Sequence, residues 1–169
     1  MGLRIKLFMV TSVMMLSFVL TGCWEFGLLK GCDSVDYVEV VVQTEACVAA
    51  SDGKVPANST MWSGAQLHIE IIKAGGEKVV FDRTTDSGGC TESVQGIFQV
   101  YREQPVKVIV RPIGGNLPSL LGGAEWSASD YRVSNNVKTL NWTDIYPAKD
   151  FGDTYYWNPL IQMLVEPNN

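Results

Sequence analysis

Apolar and polar residues alternate along most of the chain after residue 35. Apolar side chains recur at every second position in three runs: Val38, Val40, Val42; Leu67, Ile69, Ile71; and Val106, Val108, Val110. A period of two is typical of a strand with one buried face, and β-branched residues suit a pleated surface. No window with a helical period competes after residue 30. The pattern therefore predicts a chain built from strands.

Glycine, proline and asparagine pairs separate these runs and mark turns, as at Gly75-Gly76, Gly88-Gly89 and Asn135-Asn136. The predicted strands cover residues 35–44, 64–74, 78–86, 94–103, 106–113, 124–134, 137–146 and 155–165. Eight short strands at this spacing predict an all-β fold, an antiparallel sandwich of about seven or eight strands. Pro159 has no N–H for the ladder, so an edge or a bulge is expected there.

The N-terminus departs from this pattern with an uncharged apolar run of 14 residues, Leu7 to Leu20, behind Arg4 and Lys6. A helix that crosses a membrane needs about 20 apolar residues. A secretory signal has an apolar region of about 7 to 15 residues followed by small ones. The run therefore predicts a signal helix, with residues 1–22 removed on export.

The residues Leu20-Thr21-Gly22-Cys23 resemble the lipobox of prokaryotic lipoproteins. In that family the cysteine is alkylated with diacylglycerol and the signal is cut just before it. The resemblance implies lipidation of Cys23 and attachment to membrane lipid, since two or more acyl chains hold a protein stably on a bilayer. In a Gram-negative host, Trp24 in place of aspartate points to the outer membrane. The alternative is an ordinary cysteine after an ordinary signal.

Removal of residues 1–22 from the 169-residue chain leaves about the length of one domain. We expect a lipid anchor and short tether at 23–34 and a sandwich domain at 35–169. The net charge is −5, and the signal contributes two bases and no acids, which leaves the mature part near −7. An acidic surface repels phosphate backbones, so nucleic acid is disfavoured as a partner.

With Cys23 acylated, Cys32, Cys47 and Cys90 remain in an oxidising compartment that favours pairing. If successive strands alternate, Cys47 and Cys90 fall in loops at the end of the sandwich away from the membrane. Cys32 precedes a ten-residue strand that spans about 33 Å, and a disulfide joins Cα atoms about 4.4 to 6.8 Å apart. We therefore predict a Cys47–Cys90 disulfide and an unpaired Cys32, provided that the loop at 45–63 does not double back.

Three segments between Val38 and Arg111 resemble the transthyretin-like sandwich modules of exported proteins: GAQLHIEII at 64–72, TTDSGG at 84–89 and GIFQVYREQPVKVIV at 96–110. Immunoglobulin-like modules share much of this pattern. The resemblance implies a sandwich with a binding or structural role, and it implies no catalytic residue.

The predicted far loops also carry aromatic and apolar residues with no assigned place on an inward strand face. A rigid scaffold commonly presents its working residues on loops, and aromatic anchors dominate interfaces. Each residue alone could instead close the core. The candidates for partner binding are Trp62, Leu117, Leu120, Phe151, Tyr155 and Trp157.

Catalysis is not expected, because the sole histidine, His68, lies in a strand-like alternation and no nucleophile motif accompanies it. No metal or cofactor is predicted either. The function that follows is a membrane-anchored cell-envelope lipoprotein, a non-catalytic binding or assembly module with an envelope protein partner. Two alternatives remain open: a carbohydrate-binding or carbohydrate-active envelope protein, and an inhibitor or accessory subunit of an envelope complex.

Overall fold

A computed structural model of the chain describes residues 37–54, 57–145 and 154–168. The predicted signal at 1–22 and the anchor and tether at 23–34 lie outside the described residues. Residues Asp36–Asn169 form one compact unit. Within the described ranges, no helix combines the length and the apolar character that a membrane crossing requires.

Strands make up most of the described chain. They are β1 (Tyr37–Ser51), β2 (Ser59–Met61), β3 (Gln66–Lys73), β4 (Lys78–Thr84), β5 (Val94–Tyr101), β6 (Val106–Gly114), β7 (Tyr131–Ser134), β8 (Val137–Leu140), β9 (Thr154–Trp157) and β10 (Leu160–Pro167). A 3-10 turn covers Ser119–Leu121, and the short helix α1 covers Trp142–Ile145. The prediction of a mostly β chain with two sheets is confirmed.

The two sheets differ in their strand directions. One sheet is antiparallel in the order β4-β3-β6-β8. The other is built around β1, whose first half pairs with β5 and β9 and whose second half pairs with β2 and β10. Strand β7 follows on the far side of β10.

Both C-terminal strands, β9 and β10, run parallel to β1, so the prediction of a purely antiparallel sheet is wrong for them. Alternating directions follow from hairpins between consecutive strands. Strand β9 instead pairs with the first strand of the chain and not with β8, and residues 141–153 connect β8 to β9. A connection of about a dozen residues is long enough for a crossover.

Strand β1 is longer than predicted. Its alternation of buried side chains continues beyond residue 44 through Ala46, Val48 and Ala50, all fully buried. Alanine is depleted in strands and gives a weak strand signal, so this half resembled a loop in the sequence. Cys47 therefore lies in a strand and not in the predicted loop at 45–63.

The Cys47–Cys90 disulfide is present, as predicted. The two cysteines face each other as an antiparallel bridge between β1 and the segment before β5. Backbone hydrogen bonds flank the disulfide on both sides, from Val48 N to Gly89 O at 2.9 Å and from Thr91 N to Ala46 O at 2.9 Å. The disulfide thus joins the second half of β1 to the loop that leads into β5.

The last predicted strand is interrupted at Pro159, as expected. Strand β9 ends at Trp157 and β10 begins at Leu160. The buried Thr44 hydroxyl donates a hydrogen bond of 2.7 Å to the Pro159 carbonyl oxygen, which fixes the break against β1. Strand β7 pairs with β10 only from Leu164 onward, so on either side of Pro159 the described strand residues pair with β1 alone, which agrees with the expected edge position.

The predicted strand at 124–134 is reduced to β7, and the one at 137–146 ends in α1. Before β7, backbone bonds join Leu117 N to Ala124 O and Trp126 N to Gly115 O, which gives a folded loop. The core lies between the sheets and is formed by the inward residues of their long strands. Its largest fully buried members include Trp62, Phe98, Leu67, Ile69, Ile71, Ile145, Ile161 and Met163.

Candidate functional site

The end of the sandwich at which Trp62 lies is closed by packed side chains. The Trp62 ring is fully buried, and its Nε1–H donates a hydrogen bond of 2.7 Å to the Asn116 carbonyl oxygen. Trp126 packs on Trp62 at 5.6 Å between ring centroids, and Tyr131 stacks on Trp126 at the same distance. Leu117 is also buried. Two of the six predicted partner-binding residues therefore belong to the core.

Of the other four predicted residues, Leu120 belongs to the same loop as Leu117. Leu120 is half-buried in the 3-10 turn, and Phe151 lies outside the described residues. Tyr155 and Trp157 lie on β9, opposite Val40 and Val42, and pack partly buried against the core. These two residues therefore do not lie with Trp62, because β9 runs beside the first half of β1 and Trp62 lies beside the second half.

The outer face of β5, β1 and β9 carries two of the most exposed apolar side chains of the described residues. Val41 pairs with Ile97 of β5 on one side and with Tyr156 of β9 on the other. Tyr156 is 69% exposed and Ile97 is 53% exposed, while Val41 between them is 6% exposed. We call these three residues the apolar row.

Polar side chains border the apolar row on both sides. Glu39 pairs with Gln99 and Thr154, and the Thr154 hydroxyl donates to Glu39 Oε1 at 3.3 Å. On the other side Gln43 pairs with Gln95. On the outer face, the apolar row therefore lies between two rows of polar residues.

A cleft of about 300 Å³ opens beside Gln43. At this point the neighbours of β1 change from β5 and β9 to β2 and β10. We call it the polar cleft, and its lining consists of Gln43, Glu45, Ser93, Asn158, Pro159 and Leu160. One wall is held by the bond from Thr44 to Pro159. The other is held by Thr91, whose N–H donates to Ala46 O and whose Oγ1 accepts from Ala46 N at 3.2 Å. The cleft therefore lies between two fixed segments.

Four side chains in the polar cleft are polar, and none of them makes a hydrogen bond to another described residue. They are Gln43, Glu45, Ser93 and Asn158. All four are exposed. Their donors and acceptors are available to a bound molecule.

The outer face of the second sheet is different, because its charged groups pair with one another. Glu70 contacts Lys78 at 3.1 Å and Arg111 at 3.1 Å. The hydrogen bond from Lys78 is the largest influence and lowers the pKa of Glu70, burial opposes it, and the charges of Lys78, Arg111 and His68 each lower the pKa by less. His68 Nδ1 lies 2.7 Å from Asp82 Oδ1. This arrangement is a ladder of ion pairs across three strands.

No group of three or more acidic, histidine or cysteine side chains in the described ranges could hold a metal ion. A larger groove of about 650 Å³ lies between the β5–β6 turn and α1, lined by Arg102, Glu103, Pro105, Asn141, Trp142 and Thr143. The segment that follows α1, residues 146–153, lies outside the described residues. We therefore base no function on this groove.

No family model, no curated protein and no solved structure matches this chain. Sequence analysis did not identify the outer face, although a signal for it was present. Ile97 and Tyr156 stand one position away from the inward residues Phe98 and Tyr155, which places them on the opposite face of a strand.

Proposed function

We propose that this protein is a lipid-anchored, non-catalytic binding module of the cell envelope that presents the outer face of β5, β1 and β9 to its partner. The observation that carries the proposal is the apolar row, with Tyr156 69% exposed and Ile97 53% exposed next to Val41. Contiguous exposed apolar groups inside a polar border are typical of interaction sites.

The proposed anchor is Cys23, on the basis of the lipobox at Leu20 to Cys23. Residues 24–36 separate it from β1. At about 3.3 to 3.6 Å per extended residue they span at most about 47 Å, so the partner is a component close to the membrane. In a Gram-negative host this is the outer membrane.

For the sandwich itself we propose the transthyretin-like type. In immunoglobulin-type sandwiches the first two strands lie in one sheet. Here the first two long strands, β1 and β3, lie in different sheets. This difference supports the transthyretin-like alternative, as does the TTDSGG turn at 84–89 that follows β4.

Photocrosslinking in the native host tests the proposed surface. A photoreactive amino acid is placed at Tyr156 or at Ile97, and the matched control is placed at Val80, which is 40% exposed on the second sheet. We expect adducts of higher mass from the first two positions and none from the control. Equal labelling from all three positions, or none from Tyr156 and Ile97, would contradict the proposal. The mass of the adduct also shows whether the partner is a protein. The alternative of an accessory subunit requires a protein partner.

A further inference from the structure

The lining of the polar cleft combines hydrogen-bond donors and acceptors in a small space. The amides of Gln43 and Asn158 each offer an NH₂ donor and a carbonyl acceptor, and the Ser93 hydroxyl does both. Glu45 adds a carboxylate acceptor. Hydroxyl groups on a ligand also donate and accept, so a polyol can satisfy every type of group in this lining.

The cleft is fixed before any ligand arrives. Its two walls are tied to β1 by the Thr44 bond to Pro159 and by the paired bonds between Ala46 and Thr91. The Cys47–Cys90 disulfide holds the segment just before Ser93. A site that is already ordered loses less conformational entropy on binding.

An apolar surface stands next to these polar groups. Leu160 is 45% exposed at the edge of the cleft. Tyr156 lies two residues before Asn158, about 7 Å along an extended chain, and both side chains are exposed. A sugar ring has an edge of hydroxyls and a face of C–H groups, so it can use the polar cleft and an aromatic ring together. An aromatic side chain is suited to this because it offers an apolar body with large contact area.

Charge limits the type of sugar. Glu45 is the only charged residue in the lining, and the protein as a whole is acidic. Negative potential at the site disfavours ligands with phosphate, sulfate or carboxylate groups. A volume of about 300 Å³ is at the lower end of the range for ligand pockets, which suits a terminal sugar unit.

We infer that the polar cleft binds a neutral saccharide, with its terminal unit among Gln43, Glu45, Ser93 and Asn158 and the next unit over the ring of Tyr156. This inference rests on the proposed function, since it assigns a partner class to the same outer face. It makes the partner a neutral glycan of the cell envelope and not a protein.

The test uses the full-length protein in a detergent without a sugar head group. An array of neutral, amino and acidic oligosaccharides identifies ligands, and calorimetry then measures the dissociation constant of the best neutral one. We expect neutral saccharides to bind. Gln43→Ala and Tyr156→Ala should each weaken binding at least tenfold. The matched control, Gln66→Ala, removes an exposed glutamine on β3 of the other sheet and should leave binding unchanged.

Circular dichroism and thermal unfolding confirm that each variant is folded, and Ser93→Ala replaces Gln43→Ala if the latter is not. Equal effects of Gln43→Ala and Gln66→Ala, or a preference for acidic saccharides, would overturn the inference. Absence of saccharide binding together with a protein adduct from Tyr156 would overturn it too, while leaving the proposed binding module intact. Absence of both would reject the inference and the proposed function together.

Discussion

At the scale of single residues, Trp62 joins two roles in one side chain. Its ring fills the end of the core, and its indole N–H satisfies the carbonyl oxygen of Asn116 in the loop before the 3-10 turn. Buried tryptophans usually find such a partner because an unpaired N–H is costly. The same polar tip and large ring made Trp62 a candidate for partner binding in the sequence, where burial is not visible.

Trp62→Ala should lower the free energy of unfolding by about 3 to 5 kcal/mol, the usual cost of removing a large buried aromatic side chain. Urea titration followed by circular dichroism measures the change. Tyr156→Ala is the control, because its side chain is exposed, and it should change stability by less than about 0.5 kcal/mol. A similar small effect for Trp62→Ala would mean that the ring is not part of the core.

Glu70 links pH to stability. Its pKa lies below the usual value of 4.5, chiefly because Lys78 donates a hydrogen bond to the ionised carboxylate. A carboxyl group with a lowered folded-state pKa stabilises the fold fully above its unfolded-state pKa. That contribution is lost as pH falls through the folded-state pKa.

The difference in unfolding free energy between the parent and Glu70→Gln should therefore be constant near neutral pH and shrink below about pH 4.5. Urea unfolding at pH 7 and at several values down to pH 3 measures it. Glu92→Gln removes an exposed carboxylate that has no ion pair among the described residues, and serves as the control. A difference that grows with acidity would contradict the sign of the shift.

At the scale of elements, the strands with strong alternation were predictable to within a few residues at most ends. The four strands β3 to β6 carry valine, isoleucine, leucine and phenylalanine at inward positions, and glycine or proline lies between them. The second half of β1 was missed because Ala46 and Ala50, at inward positions, give a weak strand signal. The direction of β9 was not predictable, because it depends on which distant strand it joins.

The disulfide crosses between two of these elements and closes a loop with a sequence separation of 43. On the chain-entropy model, replacing both Cys47 and Cys90 with alanine should lower stability by about 4 kcal/mol. Thermal and urea unfolding measure this loss. Cys32→Ser is the control and should leave stability unchanged. Peptide mapping without reductant checks the pairing, and a Cys32–Cys47 peptide would contradict it.

At the scale of the whole molecule, the proposed binding surface depends on the assembly of distant parts of the chain. The apolar row takes one residue each from β5, β1 and β9, and the polar cleft combines Gln43 with Ser93 and Asn158. None of these residues forms a motif in the sequence. The alternation predicts which residues point outward on a given strand, but only the pairing of strands brings them together.

The attachment of the molecule is a separate prediction. The mature protein should begin at Cys23 and carry acyl chains, because Leu20 to Cys23 resemble a lipobox, in which the cysteine thiol is the modified group. Intact mass spectrometry of protein extracted from membranes detects the added lipid mass. Cys23→Ser should lose that mass and leave the membrane fraction, since a bilayer retains the protein through its acyl chains. A mature parent chain without lipid mass would contradict the prediction.

The 15-residue strand β1 also determines how the domain bears a pulling force. A pull on the chain before Tyr37 enters at the first residue of β1 and acts along its axis. The hydrogen bonds to β5, β9 and β10 lie across that direction, so they carry the load in shear and share it, instead of opening one after another. If a partner holds the outer face while the tether is pulled, strand β1 carries the force. The same strand forms the centre of that outer face.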